Sequence, residues 1–383
     1  MVLKKLSTMG LATINGLLNE AIDSAEVKRE QIDNVVLSGN TTMIHLLFQI
    51  EPRYIRRDPY IPSVSAFPLL KAGNIGLKAN PLAAVFIMPG PASYVGGDIV
   101  SGLLYTGFHR EKAITLFIDV GTNGEIVLGN KDWLMTASCS AGPAFEGGGV
   151  RWGMRAEDGA IEKITIDPET FTPCFSVVGD TLPRGICGSG MIDLISEMLK
   201  TGIIGQNGKF KVDTIHPRMT QDGDEKAFIL AFAEESSVDK DILFMESDID
   251  NLIRSKGAVY AGFKVLLNQA GFDFSMVDRM IITGGFGQYL DLDKAVFIGL
   301  LPDLDRRKFQ SLGNSSIAGA YMVLLSEKYR KEALEISNRM TYIDFSSNNQ
   351  FMDEFTSALF LPHMNIEEFP SVKKIMQKPQ PPA

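Results

Sequence analysis

The stretch FIDVGTNGEIVLGN, residues 117–130, decides how the chain is read. An apolar run carries an acid, Asp119, near its end. Gly121-Thr122-Asn123-Gly124 follows, and a second apolar run begins after Glu125. The pattern is strand, glycine turn, strand. Glycine permits positive φ and close backbone approach. The N–H groups of such a turn can point at phosphate oxygens and form an anion-binding nest. Thr122 and Asn123 add side-chain donors. Asp119 would repel a phosphate, but it can hold Mg²⁺, usually through water, and so neutralise one. Glu125 is a candidate for orienting a water or ligating the metal. The same residues are also a strong signal for a plain hairpin with an Asn-Gly turn. The stretch alone does not separate the two readings.

Three other glycine-rich stretches bear on the question. In MIITGGFGQYLD (280–291) an apolar strand delivers Gly284, Gly285, Phe286 and Gly287 to its C-terminal end. Ligands of α/β sheets bind at the carboxyl ends of strands, and paired glycines there let a flat adenine or a ribose touch the backbone. In PRGICGSGMIDLISEMLKTG (183–202), Gly188, Ser189 and Gly190 open an amphipathic helix. A helix N-terminus is an anion site, but the Gly-Lys-Ser/Thr ending of a Walker loop is absent. Cys187 beside it reads as a reactive thiol or, more simply, as a small residue packed at a tight turn. In ASCSAGPAFEGGGVRWGMRAEDGAIEKI (137–164), Gly142, Gly147, Gly148 and Gly149 with Glu146 and Arg155 predict a long flexible loop, a common form for a lid. Trp152 within it is equally a candidate docking anchor.

Composition excludes several classes. The 383 residues suffice for two or three domains, and 45% hydrophobic with 22% charged is ordinary for a soluble globular chain. A net charge of −9 argues against a general nucleic-acid or anionic-membrane binder. Cys139, Cys174 and Cys187 are too scattered for a disulfide framework or a metal site, and suit a reducing cytoplasm. His45, His109, His216 and His363 lie far apart and form no zinc or haem pattern. No apolar run reaches the ~20 residues of a membrane span, and MVLKKLSTMG is a poor signal peptide. The tail QKPQPPA has a disordered composition.

The chain also repeats itself. A helix over residues 3–25, the strand NVVL, the strand AVFI and the helix GGDIVSGLLYTG recur in order as VYAGFKVLLNQAG, MIIT, a short strand and GNSSIAGAYMVLL. Setting IDNVVLSGNT against VDRMIITGGF aligns Asp33 with Asp278 and Gly39 with Gly284. This reads as one diverged duplication of a whole subdomain.

An Asp-x-Gly-Thr hairpin, followed by a strand ending in Gly-Gly-x-Gly inside duplicated halves, resembles the acetate and sugar kinase, heat-shock chaperone and actin superfamily. In it the hairpin from Asp119 would be the second phosphate motif, IITGGFG the adenosine motif, and GGDIVSGLL (96–104) and GNSSIAGAYMVLL (313–325) the connecting helices. VVLSGNTTMIHLL, AGPAFEGG, RGICGSGMIDLI, ITGGFGQYLD, IGLLPDL and GNSSIAGA narrow the match. Together they are similar to the C-terminal part of the reductive activators of corrinoid proteins, over about residues 10–362. Those proteins of anaerobes use ATP to return a Co(II) corrinoid protein to Co(I).

The resemblance implies an α/β fold of duplicated ribonuclease-H-like (actin-like ATPase) halves with a cleft between them. It implies a first half over 1–112, a second over 113–326 and a C-terminal segment over 327–383. It implies ATP and Mg²⁺ as cofactors, held by Gly121, Thr122, Asn123, Gly124, Gly188, Ser189, Gly190, Gly284, Gly285, Phe286 and Gly287. Asp119 would organise the metal through water, with Glu125 and Asp98 as further catalytic candidates. A corrinoid protein would dock, and the activator would be a homodimer in the cytoplasm. Two departures are expected. No four-cysteine set is present for the family's iron–sulfur domain, and the first half starts at its helix without a hairpin of its own, which reads as a truncated chain. A small-molecule kinase of the same superfamily and a non-catalytic protein-binding module are the alternatives.

Overall fold

The computed structural model describes residues 2–121, 123–212, 214–285, 289–346 and 348–377. Down the chain, α1 (Val2–Ala25), β1 (Asn34–Leu37), α2 (Thr41–Leu47), β2 (Leu70–Lys71), α3 (Ala72–Ile75), β3 (Ala84–Ile87) and α4 (Gly97–Thr106) come first. β4 (Thr115–Val120), β5 (Gly124–Gly129), β6 (Leu134–Cys139), β7 (Ala160–Ile166), β8 (Pro173–Val177), β9 (Gly185–Ile186) and α5 (Gly188–Lys200) follow. Next are β10 (Met219–Asp222), β11 (Glu225–Ala231), β12 (Ile242–Met245), α6 (Glu246–Gln269), β13 (Arg279–Thr283), α7 (Leu292–Phe297), β14 (Phe309–Ser311) and α8 (Ser315–Leu325). α9 (Glu327–Arg339), β15 (Met340–Tyr342), α10 (Asn349–Ser357) and α11 (Pro370–Met376) close the chain. The predicted helix over 3–25, the strands NVVL, AVFI and MIIT, and the helices after GGD and GNS are all present. The fold is mixed α/β. Its largest sheet has the order β14-β13-β4-β5-β6-β15.

The chain divides into two compact units. The first holds Met1–Leu116, Val127–Ala137 and Asn314–Ile343; the second holds Phe117–Ile126, Ser138–Gly313 and Asp344–Ala383. In the first, β1 runs parallel to β3 with Asn34 opposite Ala84. Apolar residues of α1 (Leu11, Ile14, Leu18), spaced three and four apart, pack on a core of Ile44, Ala72, Leu77, Val85 and Ile87. α4 is apolar nearly all round, and Ile99, Val100, Leu103 and Leu104 are buried, as an interior helix requires. α8 crosses it closely. A methyl group on Gly319 would overlap the Ser101 carbonyl, and Ser101 Oγ donates to Ser316 O at 2.6 Å.

In the second unit, β13 pairs in parallel with β14, and β8-β7-β9 form a small sheet covered by the almost wholly buried α5. α6 is its spine: Val259, Tyr260, Phe263 and Leu266 are all fully buried. The loop 142–154 is not the free loop that its glycines predict. Gly148 N donates to Pro143 O, Gly153 N to Val150 O and Met154 N to Ile186 O, while Ile186 N donates to Trp152 O at 2.9 Å. A methyl on Gly147 would sit 2.5 Å from Met154 N. Gly147 and Gly153 let backbone touch backbone, and Trp152 is half-buried with its indole nitrogen inside.

Candidate functional site

β4 ends on Asp119, half-buried within a strand whose residues Leu116, Phe117 and Ile118 are fully covered. Beside it β13 ends on Thr283, whose hydroxyl donates to Asp119 Oδ2 at 3.1 Å and to Ile118 O at 3.2 Å. Withdrawal from water pushes the Asp119 carboxyl up, and the Thr283 hydrogen bond pulls it back down. The next residue, Gly284, has φ +93°. A methyl there would lie 2.7 Å from Val120 O and 2.9 Å from Asp119 Oδ1. Only glycine fits so close to the carboxylate. Gly285 then has no described atom within 4 Å of a methyl built on it.

The hairpin turn is closed by Gly121 N donating to Asn123 O at 2.9 Å. That N–H is therefore engaged inside the turn, and Asn123 and Gly124 carry the remaining described amides. The exposed carboxylate of Glu146, on the 3₁₀ turn 143–146, lies 3.9 Å from a methyl built on Gly121. Gly142, just before that turn, also borders open space. Glu125 is half-buried on β5; burial first, and then its charge, push the Cys139 thiol up. Asp98 sits in the first turn of α4, in the other compact unit, and accepts from Ile99 N at 3.0 Å. Thr122, Phe286 and Gly287 lie outside the described residues.

The α5 N-terminus has a different character. Gly188, Ser189 and Gly190 are all buried. A methyl on Gly190 would overlap the Ile161 carbonyl, so this glycine brings α5 onto β7. Cys187 Sγ bonds Ile161 O at 3.3 Å and lies 3.4 Å from Ser189 Oγ, as a packed thiol does. Two residues escaped the sequence reading. Thr283 has the form of any strand-end threonine; its place directly before Gly-Gly was the only signal. Glu146 was seen only as part of the loop.

The donor set suits a hard cation and a phosphate chain. Carboxylate oxygens at Asp119 and Glu146 border a glycine turn, with open space at Gly285 and Gly142. Among the described residues no cluster of three or more His, Cys, Asp or Glu could cage a metal alone, so a cation here would keep water or ligand oxygens. No described helix is long and apolar enough to cross a membrane.

A family model described as the C-terminal domain of RACo, the ASKHA domain, matches residues 113–373, and one described as the RACo middle region matches residues 1–111. The chain belongs to the RACo family. ASKHA denotes the actin-like ATPase fold, which agrees with the mixed α/β architecture of the chain. A solved structure titled reductive activator for corrinoid, iron-sulfur protein superposes with a TM-score of 0.89 at 48% identity, over 97% of this chain and 59% of that one. The corrinoid activation enzyme RamQ of Eubacterium limosum is 33% identical over 360 residues, covering 92% of this chain and 60% of RamQ. The [Co(II) methylated amine-specific corrinoid protein] reductase of Methanosarcina barkeri is 26% identical over 277 residues, 67% of this chain and 47% of the reductase. This RACo-family chain thus spans about 60% of the length of RamQ and of the solved activator.

Proposed function

We propose that the chain is the ATP-binding and corrinoid-protein-docking module of a reductive activase that returns Co(II) corrinoid proteins to Co(I). The observation that carries the reading is the pairing of Asp119 with Thr283 at adjoining strand ends, between a glycine turn and the Gly284-Gly285 backbone, which is open at Gly285. Asp119, whose carboxylate is aimed by the Thr283 hydroxyl, would hold Mg²⁺ through water. Asn123 and Gly124 would hold phosphate, and Gly284 and Gly285 adenosine; Thr122, Phe286 and Gly287, outside the described residues, belong to the same assignment. Glu125 and Glu146 would orient water, and the buried start of α5 at Gly188, Ser189 and Gly190, packed on β7, would act only at a distance through its positive end.

Mg-ATP, when bound, supplies a phosphoanhydride whose binding or hydrolysis offsets the uphill reduction of Co(II). Residues 1–112 and 113–326 are two diverged copies of one subdomain, and 327–383 is appended to them. Two facts support the duplication: β1 and β13 each run parallel to the strand that follows in their sheet, and α4 and α8 follow those pairs. The corrinoid protein is the partner, the working form is a homodimer, and the compartment is the cytoplasm of an anaerobe.

The test is Asp119→Ala assayed for ATP-dependent recovery of Co(I), followed by the cobalt absorption spectrum. The reading expects recovery to fall to the ATP-free level. Wild-type ATP hydrolysis and recovery in the variant would overturn it.

A further inference from the structure

Lys256 stands in the middle of α6 and is 1% exposed. Burying an ammonium is costly unless it is well partnered, and an apolar side chain of similar length would fill the space at lower cost. Its Nζ donates to Phe360 O at 2.5 Å and Pro362 O at 2.6 Å. Both carbonyls belong to the C-terminal strap, residues 348–377. The strap is tied to the same helix three more times. Tyr260 Oη donates to Glu368 at 2.9 Å, Lys264 pairs with Glu368 at 2.6 Å, and Gly257 lets the Ala358 carbonyl approach. Lys256, Tyr260 and Lys264, four apart, form one face of the helix.

The neighbouring face of α6 carries the hairpin. A methyl on Gly124 would come 3.1 Å from Val259 Cγ2. A methyl on Gly262 would overlap Cys139 Sγ and lie 2.9 Å from Ile126 Cδ1 and 3.3 Å from the Phe345 ring. Ser255 Oγ also donates to Ala141 O at 2.5 Å, directly before the open Gly142. Interiors packed this tightly transmit displacement rather than absorb it.

We propose that Lys256 is a positioning residue: by fastening the strap to α6, it fixes the height of the β4–β5 hairpin and of the Ala141–Gly142 backbone that borders the candidate nucleotide site. The proposal rests on the nucleotide reading for its consequence, but not for its mechanics. Desolvation that holds the Lys256 pKa well below that of a free lysine agrees with a group whose value is geometric.

The test compares wild type with Lys256→Met by hydrogen exchange without nucleotide and by calorimetric titration of Mg-ATP. Exchange of the amides between residues 117 and 128 is expected to quicken about tenfold, with β7 and β8 unchanged. The Kd for Mg-ATP is expected to rise about tenfold with the enthalpy of unfolding preserved. Quickened exchange confined to 348–377, or quickened uniformly across β7 and β8, overturns the proposal. If Lys256→Met does not fold, Tyr260→Phe, which removes only the tie to Glu368, carries the same test with a smaller quickening; an unmoved hairpin overturns it. A wild-type chain that binds no Mg-ATP refutes the nucleotide reading, while the exchange result still decides the role of Lys256.

Discussion

Two glycine-rich regions of the second unit have the same composition and opposite physics. At the end of β13 and just before the turn 143–146, Gly285 and Gly142 have no described atom within 4 Å of a built methyl, while Gly284 lies against Val120 O and Asp119 Oδ1. At Gly147, Gly153, Gly185 and Gly190 the space is filled by backbone: Gly147 and Gly153 against each other's segment, Gly185 against the Trp152 carbonyl, Gly190 against that of Ile161. Glycine in the first region leaves room for a ligand. In the second it removes room between the protein's own strands. A glycine count cannot tell these apart, but a substitution can.

The largest contrast is expected at Asp119. Asp119→Asn should reduce ATP-dependent activation about 10²-fold or more. It should also stabilise the nucleotide-free chain at pH 7. The carboxyl is held above its usual 3.8, so the native state binds that proton more tightly than the unfolded chain does. Stability therefore falls as pH rises through the window above 3.8, and the asparagine variant escapes that loss. Thermal melts from pH 4 to 7 should show the advantage of the variant growing with pH. An advantage that is absent, or that grows toward acid, would break the contrast.

The next effect belongs to the packed region. Gly190→Ala should destabilise by about 3 kcal/mol, because the new methyl overlaps Ile161 O and α5 must move off β7. Chemical denaturation measures it. Thr283→Val should cost about 1 kcal/mol for the lost hydrogen bond. Its sharper signature is an Asp119 carboxyl that titrates higher still, since the Thr283 bond is what lowers it. The acid limb of the activation profile should move up in pH. The smallest stability effect is expected at Gly285→Ala, within about 0.5 kcal/mol. No described residue opposes the methyl, yet it enters the space read as the adenosine site, so weakened Mg-ATP binding should accompany unchanged melting.

What the sequence showed, and what it hid, follows the same division. The hairpin, β13 and the helices after GGD and GNS were legible because apolar period and glycine punctuation are local signals. Asp119 was legible as an acid at a strand end. Thr283 was not, because its partner lies 164 positions away. The closure of the loop 142–154 was hidden because it is made by backbone bonds, which leave no side-chain signature. Lys256 was hidden for the opposite reason: a lysine in a helix reads as solvent-facing, and only the fold brings Phe360 and Pro362 carbonyls to it. The internal repeat was legible in outline, but not which of its glycines face a ligand.

The central claim is that the β4–β5 hairpin and the end of β13 hold Mg-ATP through Asp119. Calorimetric titration of Mg-ATP into the wild-type chain and into Asp119→Ala tests it most directly. The expected result is a saturable heat in the wild type that is lost or greatly weakened in the variant, with both proteins folded. Equal binding by the two proteins, or none by either, would contradict it.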